Sequence, residues 1–246
     1  MIYGFHLRNI TPALIQFADT GGELPHTYEY VEYMSEITNL WWGVPITVVR
    51  KTYQGKVETL EANCLRKKML PSLAYGRKAC SIKFKVDPQR MSLFHWMRDR
   101  GIHRVQSAVG YDAGEAHRRL DIGEQEIRKN RFTQFWYPLV EWGLDRQGCL
   151  DLLKDAGMPL PGKSSCYFCP AMKRHEILAL KENHPEYFAR ALAIESNAHI
   201  ITPGRGLGGA NRRWVDEDTK DEKRKALLEW VDKHDPAKIP CGCYDG

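Results

Sequence analysis

The stretch from Pro12 to Lys51 constrains the fold of this chain most. Residues 12–19 read Pro-Ala-Leu-Ile-Gln-Phe-Ala-Asp, a short apolar run that ends in a carboxylate, and Thr20-Gly21-Gly22-Glu23 follows at once. That pattern predicts a buried strand with a glycine-rich loop at its C-terminal end, where open α/β sheets bind ligands. Thr27 to Asn39 then spaces Tyr30, Val31, Met34 and Ile37 or Thr38 on one helical face, and Pro45 to Lys51 is rich in Ile and Val. Strand, helix and strand in this order predict a parallel pair joined by a right-handed crossover. The expected class is therefore α/β with a largely parallel sheet.

The remaining elements follow the same logic. Gln54-Gly55 predicts a turn, Gln89 to Arg100 a helix stopped by Gly101, and Val105 to Val109 a third strand. Phe135 to Trp142 reads as a strand or extended segment that leads to a helix over Arg146 to Ala156. A helical pair is expected at Arg174 to Asn183 and Pro185 to Ala198, so the C-terminal half is mainly helical. Thr202 to Arg213 carries Gly204, Gly206, Gly208 and Gly209 and reads as a mobile loop; no strand leads into it, which argues against a phosphate fingerprint. Asp216 to His234 reads as a charged helix with Ala226, Leu227, Trp230 and Val231 on its buried stripe. The tryptophans Trp41, Trp42, Trp136 and Trp142 lie in apolar contexts, which favours core packing over base stacking.

The 246 residues suit one large domain, or one domain with appendages. No apolar run reaches the ~18–20 residues of a membrane helix. The N-terminal residues lack the basic, apolar and small-residue order of a secretion signal, so a cytoplasmic protein with no membrane partner is expected. Seven cysteines in such a chain argue against a disulfide framework and for metal, cluster or catalytic roles. The mild net charge of +5 suits phosphate-rich ligands, nucleotide or nucleic acid, without selecting one.

Chemistry concentrates at Gly162-Lys163-Ser164-Ser165-Cys166-Tyr167-Phe168-Cys169-Pro170. Two thiols three positions apart sit on one tight turn. They suit a metal ion, a cluster iron or a redox disulfide, and also an inert pair of loop thiols. Lys163 and the hydroxyls beside it suit an anion. Lys83 and Lys85 alternate on a segment expected to be extended beside Cys80, as candidate anion contacts or plain solvated charges. Asp19 at a strand end suits a nucleotide contact or, equally, a turn carboxylate. Glu115 and Arg118 are spaced to share one helical face. Arg118 suits a bidentate phosphate or sulfate clamp, and the pair also suits a surface ion pair of little energy.

Several separated segments together resemble the phosphoadenosine phosphosulfate (PAPS) reductase-like family of the adenine nucleotide α-hydrolase superfamily, in its phage and bacterial branch. Phe17-Ala18-Asp19-Thr20-Gly21 resembles its Asp-Thr-Gly strand end. Cys80 to Pro88 looks like its cysteine-pair and Lys-Val-x-Pro segment, and Gly110 to Arg118 its nucleotide-side Gly-x-x-x-x-Glu-x-x-Arg. Pro138-Leu139 to Trp142 resembles its Pro-Leu-x-x-Trp strand, Cys166 and Cys169 its second cysteine pair, and Cys241-Gly242-Cys243 its tail. The resemblance implies a Rossmann-like sheet over residues 1–160, followed over 161–246 by the cysteine loop, a helical region and the cysteine-bearing tail. It implies a [4Fe–4S] cluster, or less closely zinc, on Cys80, Cys166 and Cys169, with Cys243, Cys64 or a substrate atom as a fourth ligand. It also implies adenine nucleotide contacts from Asp19, Thr20, Gly21, Glu115 and Arg118.

In the implied chemistry Cys241 attacks the sulfur of PAPS or APS, and Cys243 or a thioredoxin-like partner resolves the product. An ATP-dependent nucleic-acid sulfurtransferase of the phosphorothioation or tRNA-thiolation type is the rival enzyme, and a degenerate nucleotide- or partner-binding protein the non-enzymatic one. The chain departs from the family in three places. Only sixteen residues precede Phe17 and none forms the phosphate loop; Ser81 replaces the second cysteine of the first pair; Pro240 and Tyr244 stand in the tail where Glu and His are expected. The departures imply a shortened product, a second copy or partner chain that supplies the loop, or loss of nucleotide hydrolysis.

Overall fold

The computed structural model describes residues 1–77, 79–119, 132–210 and 212–216, with Arg118 and Arg119 described by backbone alone. The expected helix from Asp216 to His234 and the tail with Cys241 and Cys243 lie outside the described residues. The protein is mixed α/β and divides into two compact units, neither of them contiguous in sequence.

The first unit comprises Met1–Asp19, Glu23–Lys51 and Lys85–Ser164. It opens with α1 (Ile2–Leu7), followed by β1 (Ile15–Asp19), α2 (Pro25–Trp42) and β2 (Ile46–Arg50). β1 and β2 are parallel, with Ile15 opposite Ile46 and Asp19 opposite Arg50. α2 starts earlier than the apolar spacing suggests because Pro25 occupies its first turn, where a missing N–H costs nothing. It stops at Gly43, whose left-handed backbone (φ 67°) closes the helix by donating to the Asn39 carbonyl. A second parallel pair joins β5 (Val105–Ala108) to β6 (Thr133–Trp136). Among the described residues these ladders are each two strands wide. Phe5, which is buried, stacks on Trp136 at 5.4 Å and meets Trp142 edge-on at 5.6 Å, and the two tryptophans are half-buried.

One stretch departs from expectation. Cys80 to Val86 is helical, not extended: one α-turn (Ala79–Ser81) runs into a π-turn (Ile82–Val86) and then into α4 (Asp87–Asp99). Pro88 in the first turn of α4 presets a helical φ, and Phe84 is buried at 2% exposure. Lys83 and Lys85 therefore no longer share a face, as alternate residues of a strand would. The unit closes with α5 (Pro138–Glu141) and α6 (Arg146–Asp155), the latter capped by Asp145, which accepts from the Gly148 N–H at 2.8 Å.

The second unit comprises Thr20–Gly22, Thr52–Phe84 and Ser165–Gly246. A hairpin of β3 (Thr52–Tyr53) and β4 (Lys56–Val57) turns at Gln54 and Gly55, both with positive φ (50° and 74°), the requirement of a two-residue loop. α3 (Leu60–Lys67) was not foreseen; Thr59 caps it by accepting from Ala62 N–H at 3.1 Å, and Leu60 and Cys64 bury one face. α7 (Arg174–Asn183) and α8 (Pro185–His199) form the helical pair.

The expected mobile loop is a hairpin instead, β7 (Arg205–Gly206) against β8 (Gly209–Ala210). Glu195 of α8, 1% exposed, accepts from the backbone N–H groups of Leu207 (2.8 Å), Trp214 (2.9 Å) and Val215 (3.2 Å). A Cβ at Gly206 would stand 2.6 Å from the Arg212 carbonyl oxygen, so glycine is required for that close approach. Phe168, Ile194, Leu207 and Trp214 form the fully inaccessible centre of the unit. No described helix is long and apolar enough to cross a membrane.

Candidate functional site

In the first unit the end of β1 carries a dense polar constellation. Asp19 is buried, and both of its oxygens are engaged: Oδ1 accepts from the Tyr28 hydroxyl at 2.9 Å and Oδ2 from Arg50 Nε at 2.8 Å. Strand register sets the second contact, since Arg50 lies directly opposite Asp19. Four residues on, Glu23 is 1% exposed and pairs with Lys85 Nζ at 3.2 Å, while Ser164 Oγ donates to its other oxygen at 3.4 Å. Burial, and then the hydrogen bond to Asp19, push the Tyr28 phenol well above its ordinary range, which keeps it a donor.

The elements hold these groups for local reasons. Tyr28 falls on the first turns of α2, within reach of the end of β1, and Lys85 lies on the π-turn that leads into α4. Lys163 is exposed, and its backbone carbonyl faces the His26 ring at 3.4 Å. Glu115 sits in a 3₁₀ turn (Ala113–Arg119) whose start is fixed by Asp112, which accepts from the Glu115 N–H at 3.1 Å. The side chain of Arg118 lies outside the described residues.

In the second unit the cysteine loop packs around Thr20 to Gly22. Tyr167 N–H donates to the Gly22 carbonyl at 2.8 Å, and the Thr20 hydroxyl and the Cys166 thiol lie 3.2 Å apart. Gly21 has φ +70°, and a Cβ there would stand 2.7 Å from Thr59 Cβ; at Gly22 it would stand 2.8 Å from the Phe168 ring. Both glycines are thus demanded by close approach, and the Thr20 carbonyl accepts from Leu60 N–H at 2.8 Å. Thr20 and Gly21 serve the fold at this point, whatever else they bind.

Cys64 and Cys80, from separate segments, line one cavity of this unit, and Cys166 also bears on Cys64. Burial pushes the Cys64 thiol up to about 12, and the neighbouring Cys80 and Cys166 push it the same way. Cys80 is half-buried, its N–H bonded to Ser72 Oγ at 2.7 Å, and Cys169 N–H closes the Cys166 turn at 2.9 Å. All five described cysteines are free thiols. The donor chemistry suits a soft metal or cluster, but among the described residues no three His, Cys, Asp or Glu side chains converge closely enough to hold a metal ion as they stand.

Sequence reasoning found Asp19 and the cysteines, and missed Glu23, Tyr28 and Arg50. Equal strand lengths of 15–19 and 46–50 were the available signal for Arg50, because parallel pairing in that register puts it beside Asp19. Cys64, named as a possible fourth ligand, sits on a helix the sequence did not signal, four residues after Leu60. Comparison of the chain with protein-family models, with characterised proteins and with solved structures finds no match, so the geometry itself carries the functional reading.

Proposed function

We propose that the protein acts on an adenylyl nucleotide of the PAPS type and reduces or transfers its sulfur group through a cysteine thiolate. The observation that carries this reading is the gathering of Cys64, Cys80 and Cys166, far apart in sequence, in one compact unit with Thr20 beside Cys166. Thiols brought together from separate segments suit sulfur or metal chemistry better than incidental cores. The resemblance to PAPS reductase-like proteins, with the mostly parallel, Rossmann-like sheet it implies, and the parallel strand–helix–strand with Asp19 at its end point the same way.

The Cys241 thiolate attacks the sulfate sulfur of the nucleotide; a sulfur–sulfur bond forms, the sulfur–oxygen bond to phosphate breaks, and the nucleotide bisphosphate leaves with the electron pair. A second thiolate, from Cys243 or a thioredoxin-like dithiol, attacks the Cys241 sulfur. Sulfite leaves with the electron pair and a disulfide remains, so the thiol pair is oxidised by two electrons and the sulfur is reduced by two. Asp19 with Arg50, and Lys85 with Glu23, would orient the nucleotide. Cys80, Cys166 and Cys169 would hold a [4Fe–4S] cluster, or zinc, only if their segments drew closer than they stand, and the group would then supply a positive, polarising centre.

The test is sulfite release from PAPS with a reduced dithiol donor by the full chain, its Cys241→Ala variant and a Cys149→Ala control. The expected result is release by the wild type and the control, and none by Cys241→Ala. Undiminished release by Cys241→Ala, or none by the wild type, rejects the reading.

A further inference from the structure

A cavity is built wholly from residues of the second unit, with Cys64 and Cys80 among its lining residues. It encloses about 500 Å³ between α3, the turn over Ser72–Tyr75 and the helical residues Ala79–Phe84. Four cationic side chains line it: Lys67, Arg77, Lys83 and Arg205. No Asp or Glu is among its described lining residues. Arg205 is fixed in place, since Nη1 donates to the Ala74 carbonyl at 2.7 Å and the guanidinium lies 5.2 Å from the Tyr75 ring centre. Lys67, Arg77 and Lys83 are exposed and form no ion pair with a described residue.

A second, independent feature points the same way. Asn63 also lines the cavity, and its Nδ2 is buried without a hydrogen-bond partner. An amide donor left unmade in this way costs about 1–3 kcal/mol. An oxygen-rich ligand would satisfy it. Like charges gathered on a concave wall repel one another and concentrate a positive field, which a polyanion removes and a neutral or cationic ligand does not. The volume matches a small-molecule site and falls short of a groove that tracks a strand.

We propose that this cavity binds a nucleoside polyphosphate, with the phosphates held by Lys67, Arg77 and Lys83 and an oxygen accepting from Asn63. The same phosphate chemistry is offered by a free nucleotide and by a nucleic-acid backbone, and the enclosed volume favours the free nucleotide. Inorganic triphosphate shares the anionic part alone and adenosine the neutral part alone, so the two separate charge from base recognition.

Calorimetric titration of the full chain with ATP, inorganic triphosphate, adenosine and a single-stranded oligonucleotide tests the site. The variants are Lys67→Gln/Arg77→Gln/Lys83→Gln and, separately, Arg50→Gln, each checked for a native melting profile. ATP and triphosphate are expected to bind, to weaken at least about tenfold in the triple variant, and to lose much of their salt dependence with the charges. Triphosphate binding by the triple variant equal to that of the wild type overturns the proposal. So does an oligonucleotide bound about tenfold more tightly than ATP through the same three cations, which would make the site a nucleic-acid contact. ATP binding lost in Arg50→Gln and kept in the triple variant would place the nucleotide at Asp19, leaving the proposed function standing and removing this site. Binding lost in the triple variant with no sulfite released from PAPS would do the reverse.

Discussion

Cys64 shows how a single buried thiol becomes a probe of the unit around it. Its titration is raised to about 12 by burial first, then by Cys80, Cys166 and Glu61, with Lys67 opposing. In the unfolded chain a thiol titrates near pH 8.5. The folded state therefore keeps the proton longer. The stabilisation is complete below the unfolded value and is lost as pH rises towards the folded one. We expect the urea midpoint of the wild type to fall between about pH 9 and pH 12, and the Cys64→Ala variant to show a shallower fall over the same window. Equal slopes would mean that the thiol is exposed or already bonded. At pH 8 iodoacetamide should label the half-buried Cys80 and leave Cys64 intact, which peptide mass analysis reads directly.

Asp19 is the other residue with an unambiguous local consequence. Both of its oxygens are taken, by Tyr28 and by Arg50, the latter half exposed. Removing one partner leaves a buried carboxylate short of a donor. Tyr28→Phe is expected to cost about 1–2 kcal/mol in denaturant unfolding. Arg50→Gln is expected to cost less, because solvent reaches that side of the pair. A Tyr28→Phe variant as stable as the wild type would show that water replaces the phenol without loss.

At the scale of elements, Glu195 ties a segment distant from its own helix into the second unit. One carboxylate of α8 receives three backbone N–H groups from the segment that carries β7, β8 and Trp214. Glu195→Ala would leave three buried donors unmade, and we expect about 3–5 kcal/mol of destabilisation, against about 1–2 for Glu195→Gln. Gly206→Ala should cost a comparable amount through the clash with the Arg212 carbonyl. The π-turn at Ile82–Val86 is the other informative element. It sends Lys83 and Lys85 to different neighbours, Lys83 to the anion cavity and Lys85 to Glu23. Such turns are often found at functional positions.

At the scale of the molecule, the second unit is assembled from segments that lie far apart in sequence. Arg190 of α8 forms an ion pair with Glu61 of α3, and Asn197 Nδ2 donates to the Leu65 carbonyl at 2.8 Å. A fragment of residues 165–246 lacks α3, the Thr52–Tyr53 hairpin and Cys80, and so lacks part of its own core. We expect that fragment to unfold without a cooperative transition by circular dichroism, whereas the full chain melts cooperatively. A cooperative melt of the fragment would show that α7 and α8 need no partner from earlier in the chain.

The elements with a period or a punctuating residue were legible in the sequence. β1, α2 and β2 announced themselves through an apolar run, a helical spacing and a second apolar run; Gln54-Gly55 announced its turn, and Gly101 the end of α4. These signals are local: they depend on backbone sterics and on which face meets water, and neighbouring residues encode both. The placing of Cys64, Cys80 and Cys166 in one unit, the pairing of Asp19 with Tyr28, and the clamp from Glu195 were decided by tertiary structure. Each joins groups whose separation along the chain carries no period. The energy that brings them together is apolar burial, of Phe84, Phe168, Ile194 and Trp214 in the second unit and of Ala18, Met34, Val49 and Leu139 in the first. That force is non-directional. It fixes which segments share a core, and the polar contacts then take the geometry that packing leaves them.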